Sequence, residues 1–157
     1  MATPQANKEH VRRVEDMVND KDQEVLSEIF ADDLVVHFHG GREELHGLDE
    51  YREYLAETYE GFPDLTITFE DVIAEDDKVS VRYTGSGTHE GEYEGIEPTG
   101  ETVDLSGMRI VRVEDGEIVE AWGQRDDIGV LGQLEVVEPP MACPGPTRPA
   151  ARRPGTN

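Results

Sequence analysis

A tryptophan, an amide and a carboxylate alternate along one strand-like segment, and together they could support acid–base chemistry. Side chains alternate between the two faces of a strand, so Trp122, Gln124 and Asp126 share one face. In an apolar pocket, desolvation would raise the pKa of Asp126 and make it a usable general acid or base near neutral pH. Alternatively, Asp126 or Asp127 caps a helical turn that begins near Ile128. The sequence leaves both interpretations open.

The histidines form a second group of candidates. We expect His37 or His46 to line a pocket as a hydrogen-bonding group. His89 could orient a substrate or act as a second acid–base group, or it could simply pack at a strand bend. His37 and His39, followed by Glu43, have ligand types suited to a first-row metal. No later histidine-bearing strand completes such a site, so we predict no metal and no cofactor.

Large apolar side chains could form the wall of a substrate pocket. Trp122 is the single tryptophan and could stack on a planar ligand or belong to the core. Further candidates for the pocket wall are Tyr51, Tyr54, Phe62 and Met108. The single cysteine, Cys143, lies in a proline-rich tail, and no serine or cysteine lies in a nucleophile motif. Covalent catalysis and an internal disulfide are therefore not expected.

The elements that must position these residues change in period along the chain. Helical spacing of apolar residues predicts helices over residues 8–20, 22–30 and 47–60, with Asp22 as an N-cap, and a last turn over 128–134. Alternating patterns predict strands over 34–38, 65–70, 79–83, 102–113 and 117–126, with a hairpin at Asp115-Gly116. Helices followed by an antiparallel meander indicate an α+β fold, with helices on one face of a curved antiparallel sheet.

Charge and composition limit the partners. Thirty-six acidic side chains against fourteen basic ones give a formal net charge of −22, which disfavours nucleic acid. Three lysines against eleven arginines, on an acidic surface, predict adaptation to high salt; an acidic mesophilic protein is the alternative. The N-terminus lacks an apolar signal segment and no stretch could span a membrane, so we expect a cytoplasmic protein. Residues 1–137 are predicted to form one domain, and residues 138–157, rich in Pro, Gly and Arg, a disordered tail.

Two segments resemble the SnoaL-like polyketide cyclase (ester cyclase) family of the nuclear transport factor two-like superfamily: GTHEGEYEGIEPTG (residues 87–100) and VEDGEIVEAWGQRDDIGVLGQL (residues 113–134). The resemblance extends over residues 8–135. It implies a cone-shaped fold that encloses one deep pocket, commonly in a homodimer, and a catalytic aspartate near the position of Asp126. Many members of the family carry an acid directly after the tryptophan, where this chain has Gly123.

These observations lead to a functional hypothesis with two alternatives. We predict a cofactor-independent cyclase or isomerase that acts by acid–base catalysis on a small apolar molecule with a carbonyl group. Asp126 would move the proton, and Gln124 and a histidine would bind the oxyanion. The alternatives are a binding protein that holds a small hydrophobic ligand without converting it, which Gly123 favours, and an epoxide-hydrolase-like activity. The sequence does not decide between an enzyme and a binding protein.

Overall fold

The computed structural model describes residues 2–38 and 42–137. Its helices are α1 (Pro4–Asp20), α2 (Leu26–Ile29), α3 (Leu48–Gly61) and α4 (Asp127–Gln133), with a 3-10 turn at Gln23–Val25. Its strands are β1 (Phe30–Phe38), β2 (Leu45–His46), β3 (Thr66–Glu75), β4 (Lys78–Thr88), β5 (Thr102–Glu114) and β6 (Glu117–Arg125). The tail predicted over residues 138–157 lies outside the described residues.

Helix α1 forms where the sequence places a cap and an apolar stripe. The Thr3 hydroxyl accepts a hydrogen bond from the backbone N–H of Ala6, and a proline occupies the first turn. The buried residues Val11, Val14 and Met17 recur at three-residue spacing. They face the core because this spacing keeps them on one side of a helix. The stripe packs α1 against β3 and β4, which closes one side of the sheet.

The six strands of the described chain form one open sheet in the order β2-β1-β6-β5-β4-β3. The α+β class and the helix-then-strand order are confirmed, but the sheet is mixed, not antiparallel as predicted, because β1 pairs with β6 in parallel. No hairpin joins β1 and β6, so the long connection between them allows the two strands to pair in parallel or antiparallel. Strand β1 also begins at Phe30, earlier than predicted, because a register shift between Phe30 and Val35 hides the alternation.

The two faces of the sheet differ in what they contact. On the inner face, below α1 and α3, Val81, Val103 and Val111 are almost completely buried. On the outer face, Met108 and Ile110 are exposed. Functional side chains that need shelter from water must therefore lie on the inner face. In the described part of the chain, no helix has the length and apolar character needed to cross a bilayer.

Candidate functional site

A cavity lies between helix α3 and the inner face of β3, β4, β5 and β6. Its volume is about 70 Å³ when counted for the centres of water-sized spheres, and about 600 Å³ when all space between the lining atoms is counted, open solvent included. Apolar side chains make most of the wall: Val18, Leu55, Leu65, Ile67, Phe69, Val81 and Leu105. Against this wall stand the polar side chains of Tyr51, Tyr54, Thr58, Tyr83, Arg109 and Arg125. A mainly apolar cavity with a few polar groups is typical of a small-molecule site.

Three tyrosines supply hydroxyl groups to the cavity. Tyr51 and Tyr54 follow one another on α3 with their rings stacked, 6.2 Å between centroids. Tyr83 rises from β4 over Gly107, where a Cβ atom would lie 2.5 Å from the Tyr83 hydroxyl, so only glycine leaves room for it. Burial raises the pKa of Tyr51, which outweighs the opposite effect of Arg109. Tyr51 is therefore a proton donor at neutral pH, not a base.

Arg109 places a positive charge in the cavity. It lies on β5, paired with Val81 of β4 and Gly123 of β6, and its guanidinium carbon is 5.8 Å from the centroid of the Tyr83 ring. Its polar neighbours are the tyrosine hydroxyl groups of the cavity. Among the ion pairs of the described residues, none includes Arg109. Since a guanidinium stays protonated, this site carries an uncompensated positive charge.

Gly123 leaves open space beside Arg109. A Cβ atom at position 123 would lie 3.8 Å from Arg109 Nε and would meet no other atom within 4 Å. The backbone of Gly123 does not have a positive φ, so a side chain could be accommodated there. The position after the tryptophan, where the resemblance implies an acid, thus faces the arginine. With glycine at this position, Arg109 has no carboxylate partner there.

Arg125, in contrast, is paired. It donates to Asp127 Oδ1 from Nε at 2.8 Å, and to the hydroxyl groups of Tyr93 at 2.8 Å and Tyr54 at 3.3 Å. Its Nη2 also forms an ion pair with Asp127 Oδ1 at 2.8 Å. Asp127 also faces Arg42, whose Nε is 3.4 Å away. This network anchors β6 and α4 to α3 at one side of the cavity. Its charges are balanced locally, so Arg125 shapes the site more than it attracts an anion.

The tyrosine hydroxyl groups and the two guanidinium groups of the cavity can each donate a hydrogen bond to a bound oxygen. Among the described residues, the lining contains no carboxylate and no histidine. The Thr58 hydroxyl donates to the backbone carbonyl of Tyr54 at 2.9 Å, which leaves the tyrosines and arginines to face a ligand. Such a set of donors stabilises negative charge on oxygen, as an oxyanion hole does. It does not by itself remove a proton from carbon.

The residues predicted on β6 lie on the opposite side of the sheet. Trp122 and Gln124 belong to the outer face, and Met108, which pairs with Gln124, is 62% exposed. Asp126 is exposed and caps α4, because its Oδ1 accepts a hydrogen bond from the backbone N–H of Gly129 at 2.9 Å. None of these four side chains lines the cavity, and the capping interpretation of Asp126 describes its contacts. The inner face of β6 carries Ala121, Gly123 and Arg125 instead.

The predicted histidines also lie outside the cavity lining. His37 lies on the outer face between Glu44 and Glu120, at 2.7 Å from each, and stacks on Trp122. The His46 side chain is 65% exposed. The alternation of β1 turns His37 away from the helices, and neither histidine lines this cavity.

His89 is fully buried and packs at the end of β4, as the second interpretation of the sequence had it. Its Nδ1 accepts a hydrogen bond from the backbone N–H of Thr99 at 3.2 Å. Its ring lies 5.4 Å from that of Phe62, which is itself buried against Tyr93. Neither His89 nor Phe62 belongs to the cavity lining, whereas the predicted Tyr51 does. The packing of His89 and Phe62 against each other indicates a structural role for both.

Sequence analysis missed the two arginines and Tyr83. A signal was present on β5, where Val103, Leu105, Gly107, Arg109 and Val111 alternate on one face. A charged residue in the middle of an otherwise apolar face is costly to bury and therefore marks a site. Tyr83 stands in the same way on the apolar face of β4.

Comparison with known proteins places this geometry in a family context. The sequence profile described as SnoaL-like polyketide cyclase matches residues 8–134. A candidate SnoaL-like polyketide cyclase from Jannaschia sp. CCS1 shares 25% identity and a TM-score of 0.79, over 87% of this chain and 98% of that one. IdmH, a candidate polyketide cyclase from Streptomyces antibioticus, shares 31% identity and a TM-score of 0.70, over 83% and 99%.

A further structure shows the same fold with another description. AclR, a candidate hydroxylase from Streptomyces galilaeus, shares 24% identity and a TM-score of 0.78, over 87% of this chain and 85% of that one. No curated protein matches the chain in sequence. The fold therefore carries more than one described activity, and the function must be argued from the site.

Proposed function

Because the chain belongs to the SnoaL-like polyketide cyclase family, we propose that it catalyses a cyclase- or isomerase-type reaction. The substrate is a small, mainly apolar molecule with a carbonyl group, held in the inner cavity. The observation that carries the proposal is the position of Arg109, a cation without a carboxylate partner among the described residues, inside a mainly apolar cavity. Such a charge is poised to stabilise an oxygen that becomes negative during the reaction.

In the proposed reaction, the hydrogen-bond donors of the cavity stabilise the oxygen atoms that become negative. The carbonyl oxygen accepts hydrogen bonds from Arg109 and from a tyrosine hydroxyl, which makes the neighbouring C–H bond more acidic. Water at the mouth takes the proton, and the enolate oxygen is held by Arg109. In a cyclisation, the enolate carbon forms a C–C bond to a second carbonyl carbon of the same molecule. A tyrosine hydroxyl then gives its proton to the new alkoxide and regains one from solvent.

Proton exchange tests this mechanism without knowledge of the natural substrate. The α-protons of 2-tetralone, a small bicyclic ketone, are followed by NMR in D₂O with wild-type protein, Arg109→Met and Arg82→Met. Arg82 is a matched control, an exposed arginine on the outer face that pairs with Asp71 at 2.7 Å. We expect Arg109→Met to lose about a hundredfold of the accelerated exchange, as loss of an oxyanion donor does, and Arg82→Met to retain it. Equal exchange by Arg109→Met and the wild-type protein would contradict the proposal.

A binding protein for a small hydrophobic ligand is the second candidate. The observation that favours it is the lack of a carboxylate or histidine in the described part of the lining, since neither common base is at hand. Saturable binding of 2-tetralone without faster proton exchange would select this candidate. An epoxide-hydrolase reaction needs a group that activates water, and the described lining offers no support for it.

A further inference from the structure

From the charge balance of the cavity, we infer that its ligand binds as a monoanion: a small apolar acid whose planar pair of oxygens is held by Arg109. The oxygens belong to a carboxylate or to the enolate of a 1,3-dicarbonyl, which present the same chemistry to a guanidinium. The inference rests on the proposed function only in placing the ligand in the same cavity. It goes further by naming the charge of the molecule before any reaction.

The arginines of this region differ in how they are neutralised. Arg125 is bound to Asp127, and Arg42 is bound to Glu94 at 2.7 Å. Arg109 lies deeper, among tyrosine rings and apolar side chains, without a carboxylate within 4 Å in the described chain. A buried cation is costly unless an anion accompanies it. A ligand with a single negative charge restores the balance.

The space beside Gly123 provides a place for this anion. A side chain at position 123 would start 3.8 Å from Arg109 Nε, so an aspartate there would form an internal ion pair. The chain has glycine instead, and the ligand's own oxygens can occupy the same place. Tyr51, which stays protonated, can add a hydrogen bond. The apolar side chains of Ile67 and Leu105 then contact the rest of the ligand.

The groove next to the cavity restricts the ligand to one negative charge. It shares Tyr54 and Thr58 with the cavity and is lined by Glu57, Glu60, Glu92 and Glu94. Carboxylates beside the cavity repel a molecule that carries further negative charges outside it, such as a phosphate group. An apolar monoanion leaves no charge in this groove. The site therefore favours small free acids over phosphorylated molecules.

A matched pair of probes tests the inference by calorimetry. The first is 2-naphthoate and the second is 2-naphthamide, which has the same shape and no charge. We expect the wild-type protein to bind the acid at least about tenfold more tightly, because a hydrogen bond between two charged groups is stronger than one to a neutral amide. Arg109→Met should lose this preference and Arg82→Met should keep it. The preference of the wild-type protein is itself a test, so the result does not depend on the folding of a variant.

A third probe distinguishes the two sources of the anion. The enol of 1-phenylbutane-1,3-dione changes its ultraviolet spectrum when it loses a proton, so binding of its enolate is visible directly. Tighter binding of either anion than of 2-naphthamide, lost in Arg109→Met, supports the inference and identifies the acid class. Equal binding of the amide and both anions overturns it. Because 2-naphthoate has no exchangeable α-proton, this outcome is independent of the exchange assay, which alone decides the proposed reaction.

Discussion

Replacing Gly123 by aspartate should fill the cavity's anion site from within. The new Cβ atom would lie 3.8 Å from Arg109 Nε, which brings the carboxylate within hydrogen-bonding distance of the guanidinium. The backbone at Gly123 accepts a side chain, since its φ is not positive. Gly123→Asp therefore converts an unpaired cation into an internal ion pair. The matched control is Gly123→Asn, which adds the same volume without the charge.

The size of the effect follows from the interaction that is lost. A charge-assisted hydrogen bond contributes about 1.5–3 kcal/mol, so neutralising Arg109 should weaken binding of 2-naphthoate by about ten- to a hundredfold. The introduced carboxylate also repels the ligand's own. Binding of neutral 2-naphthamide should change equally in Gly123→Asp and Gly123→Asn, because only volume matters there. Calorimetric titration of both ligands against wild-type protein and both variants measures these differences.

Stability gives a second measurement on the same variants. Next to Arg109 the new carboxyl has a lowered folded-state pKa, so its stabilisation is complete above the unfolded pKa and is lost as the pH falls through the folded one. Gly123→Asp should therefore gain stability over Gly123→Asn at neutral pH and lose that gain in acid. If Gly123→Asp binds 2-naphthoate as tightly as Gly123→Asn does, Arg109 does not hold the anion.

Three further predictions concern residues and charges outside the cavity. Asp126→Ala should lower the free energy of unfolding by about 1 kcal/mol through loss of the α4 cap, whereas Asp126→Asn should retain most of it, with ligand binding unchanged in both. Hydrogen bonds to Glu120 and Glu44 raise the pKa of His37. These bonds therefore stabilise the folded protein in acid, and this stabilisation is lost as the pH rises through the raised pKa. His37→Gln should flatten the dependence of the melting temperature on pH. The protein has a net charge of −22, and at 1 M NaCl the Debye length falls to about 3 Å, which screens repulsion between the acidic side chains. The melting temperature should therefore rise between 20 mM and 1 M NaCl. The predicted homodimer should also become more stable as the salt concentration rises.

Each of these has a result that opposes it. Much slower proton exchange by Asp126→Asn than by the wild-type protein would indicate that the Asp126 carboxylate is catalytic. A melting profile of His37→Gln that follows the wild-type pH dependence would place the titrating group elsewhere. Full stability in 20 mM salt would refute the adaptation to high salt, and a monomer mass by light scattering at 1 M NaCl would refute the homodimer.

Local patterns predicted the elements well, because short-range chemistry determines them. Helix α3 was expected over residues 47–60 and spans Leu48–Gly61. The hairpin between β5 and β6 was expected at Asp115-Gly116, and both residues have the positive φ that this turn requires. Asp22 caps the 3-10 turn, as predicted, by accepting a hydrogen bond from Glu24 N–H. The parallel pairing of β1 with β6 was missed, since it joins segments far apart in sequence.

The side chains predicted on β6 lie outside the cavity for a different reason: alternation separates the two faces of a strand but does not say which one faces inward. On β6, the candidate site was predicted on the face that carries Trp122, Gln124 and Asp126. The structure reverses this assignment, because the inner positions of β6 are occupied by the small residues Ala121 and Gly123 and by Arg125. Of these inner residues of β6, Arg125 lines the cavity.

Strand β5 could have resolved the ambiguity. Its buried residues Val103 and Val111 share a face with Arg109, and pairing places Arg109 opposite Gly123. Once β5 and β6 are paired, an inward β5 face requires Gly123, not Trp122, to face inward as well. Arg109 then interrupts a face of β5 that is otherwise apolar. Such an interruption is expected at a functional site, where the chemistry of a residue matters more than its packing. When β5 and β6 are paired, Arg109 therefore stands opposite Gly123. This unpaired cation is the feature of the sequence that indicates an anionic ligand.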